Sequence, residues 1–276
     1  MVKQDEFLWV EKYRPQNIED CILPDSIKST FKEFIAAGDM PNLLLSGTAG
    51  TGKTTIAKAL CNELGYTSLV VNGSLDRNID TLRNEIASFA STVSFDGGKK
   101  CIILDEADYL NPQSFQPALR GFIETFSKNV RFILTCNFKD KIIEPIHSRT
   151  TLIDFRTGKK EMPEIMGVLM KRILNILKEE TVKVEDPKIV AEVIKKHYPD
   201  IRRILNEMQR YSAGGVIDIG ILANVGETDV TSLMKYLKDR DFGKMRQWVV
   251  ENIDADPVRI FRTIYNNMHD YLEPSS

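Results

Sequence analysis

Residues 47–54 constrain the fold of this chain more than any other segment. They read GTAGTGKT, a complete G-x-x-x-x-G-K-[ST] run, directly after an apolar stretch and directly before a segment of helical periodicity. Glycines let the backbone curl so that successive N–H groups point at phosphate oxygens, and the positive end of the following helix adds to the attraction. We therefore predict a phosphate-binding loop, in which Lys53 reaches the β- and γ-phosphates of a nucleotide and the Thr54 hydroxyl binds Mg²⁺.

Apolar runs alternate with helical segments through the first half of the chain. The candidate strands are apolar over most of their length, as strands covered on both faces must be: 42–45, 68–71, 100–104, 131–135 and 151–155. This alternation predicts a five-stranded parallel sheet covered by helices.

Beyond about residue 156 only helical periodicity remains. Gly214 and Gly215 close one helix, and a last set of helices starts near Asp229. We expect three parts: an α/β nucleotide-binding domain over 1–155, a helical domain over 156–228 and a further, partial helical domain over 229–276.

Composition excludes several classes of protein. Hydrophobic residues make up 42% of the 276 residues and charged residues 28%, which argues against a disordered or collagen-like chain. Lys and Arg number 37 against 39 Asp and Glu, so the formal net charge is −2 and a globally basic nucleic-acid-binding surface is excluded. The four cysteines form no C-x-x-C pair, which disfavours structural zinc and fits a reduced, intracellular setting. No apolar run approaches the roughly 18 residues of a membrane span, so we expect a cytoplasmic protein with no signal peptide and no membrane helix.

Two adjacent carboxylates follow one of the predicted strands. Asp105 and Glu106 end the apolar run CIIL at the carboxyl edge, where open α/β sheets bind ligands. Alone, such residues are more often a solvated loop or a helix cap. With the phosphate loop upstream, we expect Asp105 to bind Mg²⁺ or its water shell and Glu106 to polarise an attacking water.

Three further polar residues are candidates for the same site. Asn137 follows the strand at 131–135, where it either hydrogen-bonds the γ-phosphate or attacking water or forms a turn. Arg149 precedes the last strand; it either stabilises phosphoryl charge, in its own site or across an interface, or is structural. Arg202 opens a helix of the second domain, where it either reaches back to the nucleotide or solubilises the helix.

Taken in order, these motifs resemble those of AAA+ ATPases of the sliding-clamp-loader family. WVEKYRP at 9–15 is similar to the W-x-E-K-Y-R-P box of replication factor C small subunits, and DEAD at 105–108 matches that family's form of Walker B. Asn137 falls at sensor 1, Arg202 at sensor 2 and Arg149 in the S-R-C motif, where Thr150 replaces the cysteine. The resemblance covers essentially the whole chain, and segments such as VNGS at 71–74 look closest to the large-subunit family of T-even-type phages.

The resemblance implies roles for residues at matching positions. Glu106 and Asn137 are catalytic in their own subunit, Arg149 acts in trans on ATP of the neighbouring subunit, and Thr54 and Asp105 hold the metal. The implied ATP contacts are Val10, Glu11, Lys12, Tyr13, Ile22, Gly50, Thr51, Gly52, Lys53, Thr54, Thr55 and Arg202.

The resemblance also implies a function and partners. By this resemblance, the second domain is the AAA+ lid. The third domain is part of a collar domain. The chain becomes a DNA-stimulated ATPase in which ATP binding opens and holds a ring-shaped clamp, and primer–template DNA triggers hydrolysis and release. Its partners would be further copies of itself in a head-to-tail open ring, a small non-identical subunit, the sliding clamp and primer–template DNA, in the cytoplasm of a phage-infected host cell. Family members carry a longer collar, so the resemblance implies either that the sequence is truncated or that assembly differs, with less stable assembly of the chain as given.

DNA contacts and two alternative functions complete these expectations. Relatives hold duplex phosphates with helix N-termini and basic side chains, which would assign DNA contacts to Arg77, Arg83, Gln116 and Arg120; the alternative is that these side chains are only solvated. One alternative function is a non-hydrolysing scaffold subunit of the loader. The other is a different AAA+ DNA machine, such as a helicase loader or branch-migration motor.

Overall fold

The computed structural model describes residues 7–74, 79–92, 98–158, 160–218, 221, 230–252, 257, 260–261 and 263–265. The chain divides into two compact units, 1–218 and 219–276. The three-domain division at 155 and 228 stays a prediction.

A five-stranded parallel sheet organises the first unit. Its strands are β1 (Leu43–Ser46), β2 (Thr67–Asn72), β3 (Lys100–Asp105), β4 (Val130–Cys136) and β5 (Thr151–Asp154). They lie in the order β2-β3-β4-β1-β5, and every neighbouring pair is parallel. The predicted sheet is confirmed, and each strand ends within one residue of its predicted bound.

Helices cover both faces of this sheet. They are α2 (Asp25–Ala37), α3 (Lys53–Glu63), α4 (Ile79–Ser91), α5 (Phe115–Phe126) and α6 (Glu144–His147). A short helix before them, α1 (Trp9–Lys12), packs instead against a helix that follows the sheet. Alternate strand residues point to opposite faces, so Leu43 and Leu45 pack with α2 and α3, whereas Leu44 packs with α4 and α5. The three central strands, β1, β3 and β4, are buried over most of their length and largely apolar, whereas the edge strands β2 and β5 are more exposed. Asp105 ends β3 and Asn137 follows β4, so both lie at the carboxyl edge of the sheet.

Three further helices follow the sheet and form what we call the helical region, 162–217. They are α7 (Met162–Glu179), α8 (Pro187–His197) and α9 (Ile201–Ser212). Each buries an apolar stripe, such as Ile165, Leu169 and Ile173 on α7. The region also contains a short parallel pair, β6 (Lys183–Val184) and β7 (Val216–Ile217). Helical periodicity predicts only helices here, because two-residue strands leave no periodic signal in the sequence.

The second unit contains α10 (Val230–Lys238) and α11 (Phe242–Glu251). Leu233 and Trp248 are buried between them, with Tyr236 and Met245 packed alongside. Within the described ranges, neither unit has a helix both long and apolar enough to cross a bilayer.

Candidate nucleotide-binding site

Residues 47–52 form the loop that leaves β1 and enters α3. Gly50 and Gly52 have φ values of 76° and 86°, a left-handed conformation that residues with side chains rarely adopt. At Gly50 space is also limiting, because an added Cβ would lie 1.9 Å from Oδ1 of Asp200. The backbone N–H of Ile201 donates to the Gly50 carbonyl at 3.1 Å. The start of α9 therefore rests directly on the loop.

Lys53 is the first residue of α3, and it is only 8% exposed. Its Nζ donates to the carbonyl oxygens of Gly47 at 2.8 Å and Thr48 at 2.9 Å, and to Oδ1 of Asn137 at 3.0 Å. Burial lowers the pKa of Lys53, whereas nearby acidic groups, Asp105 among them, oppose this. The ammonium group is thus held inside the curl of the loop.

Asp105 ends β3 and accepts two side-chain hydrogen bonds at one oxygen. Thr54 Oγ1 donates to its Oδ1 at 2.6 Å, and Thr135 Oγ1 donates to the same atom at 2.5 Å. Hydroxyl and carboxylate oxygens are ligands that Mg²⁺ accepts, so the donor set of Thr54 and Asp105 fits the predicted metal. No cluster of three or more His, Cys, Asp or Glu residues suited to a metal occurs in the described part of the chain.

Glu106 follows Asp105 in a left-handed conformation, with φ of 55°. Such a conformation is unfavourable for a residue with a side chain, and here the backbone N–H of Glu106 donates to Thr135 Oγ1 at 3.1 Å. Thr135 therefore holds both carboxylate residues from the neighbouring strand. Sequence reasoning missed Thr135, because a threonine within an apolar strand looks like an ordinary strand residue.

Two adjoining cavities meet at the loop. The polar cavity is lined by the predicted residues Gly50, Gly52, Lys53, Thr54, Thr55, Asp105, Glu106, Asn137 and Arg202. The apolar cavity is lined by the predicted residues Val10, Tyr13, Ile22, Gly50, Thr51, Gly52, Thr55 and Arg202, together with Ile173 and Ile176 of α7. The fold thus brings together most of the residues that the sequence motifs selected.

Glu11 and Lys12 line neither cavity. The Glu11 carboxylate accepts from Arg14, and Lys12 Nζ donates to Glu180 Oε1 at 2.7 Å. Their role as nucleotide contacts stays a prediction. Since both side chains already bind other residues, a nucleotide would contact the main chain at these two positions.

Other residues line the cavities without having been predicted. Arg14 lines both, and its buried Nε has no hydrogen-bond partner among the described residues. It lies inside the WVEKYRP box, which was a signal available in the sequence. Asn72 at the end of β2 lines the polar cavity, and Arg172 on α7 lines the apolar one. Neither belongs to a motif with fixed spacing, so their positions depend on the fold.

The helical region holds the N-terminal box through three side chains. Glu180 Oε1 accepts from Tyr13 Oη at 2.6 Å as well as from Lys12. Arg172 Nη2 donates to the Tyr13 carbonyl at 3.3 Å, and the backbone N–H of Trp9 donates to Gln209 Oε1 at 3.0 Å. Burial and the Glu180 carboxylate raise the pKa of Tyr13, so its hydroxyl stays protonated. One wall of the apolar cavity is therefore attached to the helical region.

Arg149 lines neither cavity of its own chain. Its Nε donates to Glu124 Oε1 at 2.8 Å, and its Nη1 donates to the Pro145 carbonyl at 2.8 Å. The structure therefore does not bring Arg149 together with the other predicted catalytic residues.

The predicted DNA contacts differ in exposure. Arg120 is exposed on α5, and Arg83 is half-buried on α4, where its Nη2 donates to the Ser114 carbonyl at 3.3 Å. Arg77 lies outside the described residues.

The prediction for Gln116 needs correction, because its side chain is 1% exposed. Its amide nitrogen donates to the carbonyls of Leu110 and Lys141, and its amide oxygen accepts from the backbone N–H of Ile143. Gln116 and Arg120 are four residues apart and share one face of α5, but residues 139–143 cover the first turn of that face. Gln116 therefore braces backbone segments instead of facing DNA.

Two family models match the chain. The model of the ATPase family associated with various cellular activities (AAA) matches residues 43–157, and the model of the lid domain of the sliding-clamp-loader large subunit AAA+ ATPase matches residues 160–223. A solved structure of a RuvB mutant from Thermotoga maritima is similar with a TM-score of 0.63 at 16% identity, covering 83% of this chain and 81% of that chain. This second likeness is one of fold alone. The fold and the site define an AAA+ ATPase, a nucleotide-binding enzyme.

Curated relatives narrow that class. The chain is 39% identical over 249 residues to the sliding-clamp-loader large subunits of Escherichia phage RB69 and Enterobacteria phage T4, covering 89% of this chain and 78% of each relative. It is also 39% identical over 222 residues to the replication factor C small subunit of Sulfolobus acidocaldarius, covering 78% of this chain and 66% of that protein. The chain belongs to the family of sliding-clamp-loader large subunits. The resemblance and the ATPase class predicted from the sequence are confirmed, and family membership implies assembly with other loader subunits.

Proposed function

We propose that this chain is the ATPase subunit that opens a sliding clamp, holds it open and leaves it on primer–template DNA. One observation carries the proposal: a polar and an apolar cavity adjoin at the loop 47–52, with Lys53, Asp105 and Asn137 on the polar side. The polar cavity suits the charged phosphates of ATP, and the apolar cavity suits the adenine base, whose faces are apolar.

ATP binding is proposed to use both cavities. Val10, Tyr13 and Ile22 pack against the adenine, with Glu11 and Lys12 contributing main-chain contacts. The loop N–H groups surround the phosphates, and Lys53 exchanges its carbonyl acceptors for β- and γ-phosphate oxygens. Thr54 and Asp105 would hold Mg²⁺, which neutralises phosphate charge when bound.

Hydrolysis is proposed to depend on three residues. The Glu106 carboxylate orients the attacking water and accepts its proton. Asn137 fixes the water or the γ-phosphate from the end of β4. Arg149 of the neighbouring subunit stabilises the charge that develops on the transferred phosphoryl group.

The helical region is proposed to act as a lid. Arg202 lies near the start of α9 and lines both cavities, so lid closure would bring it onto the γ-phosphate. This follows the proposed division into a nucleotide-binding domain over 1–155, a lid over 156–228 and part of a collar over 229–276. The position of the lid would thereby communicate to the neighbouring subunit whether ATP is bound.

Assembly is proposed to be a head-to-tail open ring of several copies with a small non-identical subunit. Such contacts are heterologous and leave an end that another subunit must cap. Arg83 and Arg120, and Arg77 outside the described residues, are proposed to hold duplex phosphates without reading bases. DNA entering the ring on an opened clamp would trigger hydrolysis and release, in the cytoplasm of the host cell.

The decisive test is steady-state ATP hydrolysis by the complex with its small subunit, with and without primed DNA plus clamp. We expect stimulation by DNA and clamp that Lys53→Ala abolishes, whereas Lys32→Ala, at an exposed lysine of α2, leaves it intact. Turnover indifferent to DNA and clamp would reject the proposal. Strand displacement by the complex would instead indicate another kind of AAA+ DNA machine.

A further inference from the structure

Arg149 is docked on its own subunit through three of its nitrogen atoms. Nε and Nη2 both donate to Oε1 of Glu124, and Nη1 donates to the Pro145 carbonyl at 2.8 Å and to Ser148 Oγ at 3.0 Å. These bonds use four of the five N–H groups that a guanidinium carries. A guanidinium that acts in a neighbouring site has to exchange most of these partners first.

Glu124 is the charged member of this docking site. It lies near the end of α5, and its side chain is 48% exposed. Arg120, one helical turn earlier, approaches the same carboxylate oxygen, with Nε at 3.5 Å. Hydrogen bonding from Arg149, followed by the charges of Arg149 and Arg120, lowers the pKa of Glu124, so the carboxylate is ionised at neutral pH.

The docking site is suited to exchange. A half-exposed ion pair is screened by water and salt, so it orients a side chain without binding it strongly. A terminal phosphate carries more negative charge than a carboxylate and offers three acceptor oxygens. A neighbour that holds ADP lacks the γ-phosphate, and its terminal β-phosphate lies one phosphoryl group deeper in the phosphate loop, so the same guanidinium then has no acceptor within reach that is stronger than Glu124.

We propose that Glu124 is a positioning residue that keeps Arg149 on its own subunit until a γ-phosphate on the neighbouring subunit displaces it. The inference rests on the proposed trans role of Arg149. Because of Glu124, Arg149 engages a neighbouring site that holds ATP but not one that holds ADP. Arg149 binds Glu124 again once the phosphate has left. A fixed support would do the opposite, because it would hold Arg149 in its working position throughout the cycle.

The test uses the assembled complex and the variant Glu124→Gln, which keeps the size of the side chain and removes its charge. We measure kcat and the ATP concentration at half-maximal turnover, with and without primed DNA and clamp, and inhibition by ADP. We expect a decrease of about two- to fivefold in the half-maximal ATP concentration, the range of an exposed ion pair. We also expect higher turnover without DNA, stronger ADP inhibition and little change in DNA-stimulated kcat.

Three comparison variants complete the design. Glu124→Asp keeps the charge and should retain the wild-type ATP dependence, and Glu33→Gln removes one charge from an exposed position on α2 and should change nothing. In the double variant with Arg149→Ala, Glu124→Gln should have no further effect, because the two residues act as one unit. Thermal unfolding verifies that each variant is folded.

Two results would overturn the proposal. A lower DNA-stimulated kcat in Glu124→Gln, at unchanged half-maximal ATP, would make Glu124 a fixed support. Wild-type kinetics in Glu124→Gln would leave Glu124 without influence on Arg149. A different result, normal turnover in Arg149→Ala alone, would instead reject the trans role within the proposed function.

Discussion

The amide oxygen of Asn137 accepts a hydrogen bond from Lys53 Nζ at 3.0 Å, although 84 positions separate the two residues. Asn137 directly follows β4 and Lys53 begins α3, which the loop joins to β1. Because β1 and β4 are neighbours in the sheet, the fold places the two polar groups together. A phosphate bound at Lys53, as proposed above, would therefore also lie beside the Asn137 amide.

Asn137→Ala should lower kcat by about 100-fold while changing ATP affinity far less. Removal of one oriented polar group from a phosphoryl-transfer site costs on this order when the group acts mainly in the transition state. Steady-state hydrolysis with DNA and clamp, beside nucleotide titration, measures the two effects separately. Asn129→Ala, in an exposed turn before β4, is the matched control. A large rise in the ATP dissociation constant at normal kcat would contradict this role.

Gly50→Ala and Gly65→Ala should have different consequences for nucleotide binding. Both positions have positive φ, so each alanine should destabilise the fold by about 1–2 kcal/mol. Only at Gly50 would the new Cβ overlap Asp200, since nothing lies within 4 Å of the corresponding position at Gly65. Thermal unfolding should show a larger stability loss in Gly50→Ala than in Gly65→Ala, because only Gly50→Ala adds the overlap to the backbone strain, and ATP titration should show lost binding in Gly50→Ala alone. Equal ATP affinity in the two variants would refute the argument.

Glu180→Ala should raise the ATP dissociation constant by about three- to tenfold and leave kcat at saturating ATP nearly unchanged. The carboxylate accepts from both Lys12 and Tyr13, and the net contribution of a typical intramolecular hydrogen bond, about 0.5–1.5 kcal/mol, corresponds to a change of this size. Equilibrium binding of a fluorescent ATP analogue is the direct measurement. Glu185→Ala, at an exposed position after β6, provides the comparison. If both variants bind ATP like the wild type, the Tyr13 contact does not shape the apolar cavity.

Asp39 should make the fold sensitive to acid. Burial alone would raise its pKa, but hydrogen bonds from Arg131, Lys99 and Tyr66 outweigh burial and hold the pKa well below its usual range. A carboxyl with a lowered pKa in the folded state stabilises the fold above its unfolded pKa of about 3.9. That stabilisation is lost as the pH falls from there towards the folded pKa.

Chemical unfolding across this acid range should therefore give a shallower decline in stability for Asp39→Asn than for the wild type. At neutral pH the variant should be the less stable of the two. Asp25→Asn, exposed at the start of α2, should keep the wild-type slope. Parallel curves for Asp39→Asn and the wild type would show that other groups dominate acid unfolding.

Sequence patterns located the parts of the site that have fixed spacing. The loop at 47–54 and the pair Asp105 and Glu106 follow buried strands, so their position at the carboxyl edge could be inferred before the fold was seen. Thr135 could not be found this way, since its contact with Asp105 exists only because β3 and β4 are adjacent. Gln116 was misread for a related reason: helical periodicity identifies a face but not the chain segment that covers it.

The contacts of the N-terminal box, residues 9–15, likewise could not be predicted from the sequence. Its family resemblance was evident from the letters, but its attachment to Arg172, Glu180 and Gln209 spans more than 150 positions of sequence. Long-range polar contacts carry no local periodicity, so only the folded chain reveals which element the box accompanies.

The hydrogen bond from the Ile201 N–H to the Gly50 carbonyl fixes the start of α9 on the phosphate loop. A change in the direction of α9 would therefore be a rotation about this end, which acts as the pivot. The helix has 12 residues and is about 18 Å long at 1.5 Å per residue. A tilt of about 5° at the pivot would move its far end by roughly 1.5 Å over that length. Gln209, which holds the backbone of Trp9, lies near that far end. A small change in the conformation of the loop would thereby become a larger displacement at Trp9, next to Val10 in the lining of the apolar cavity.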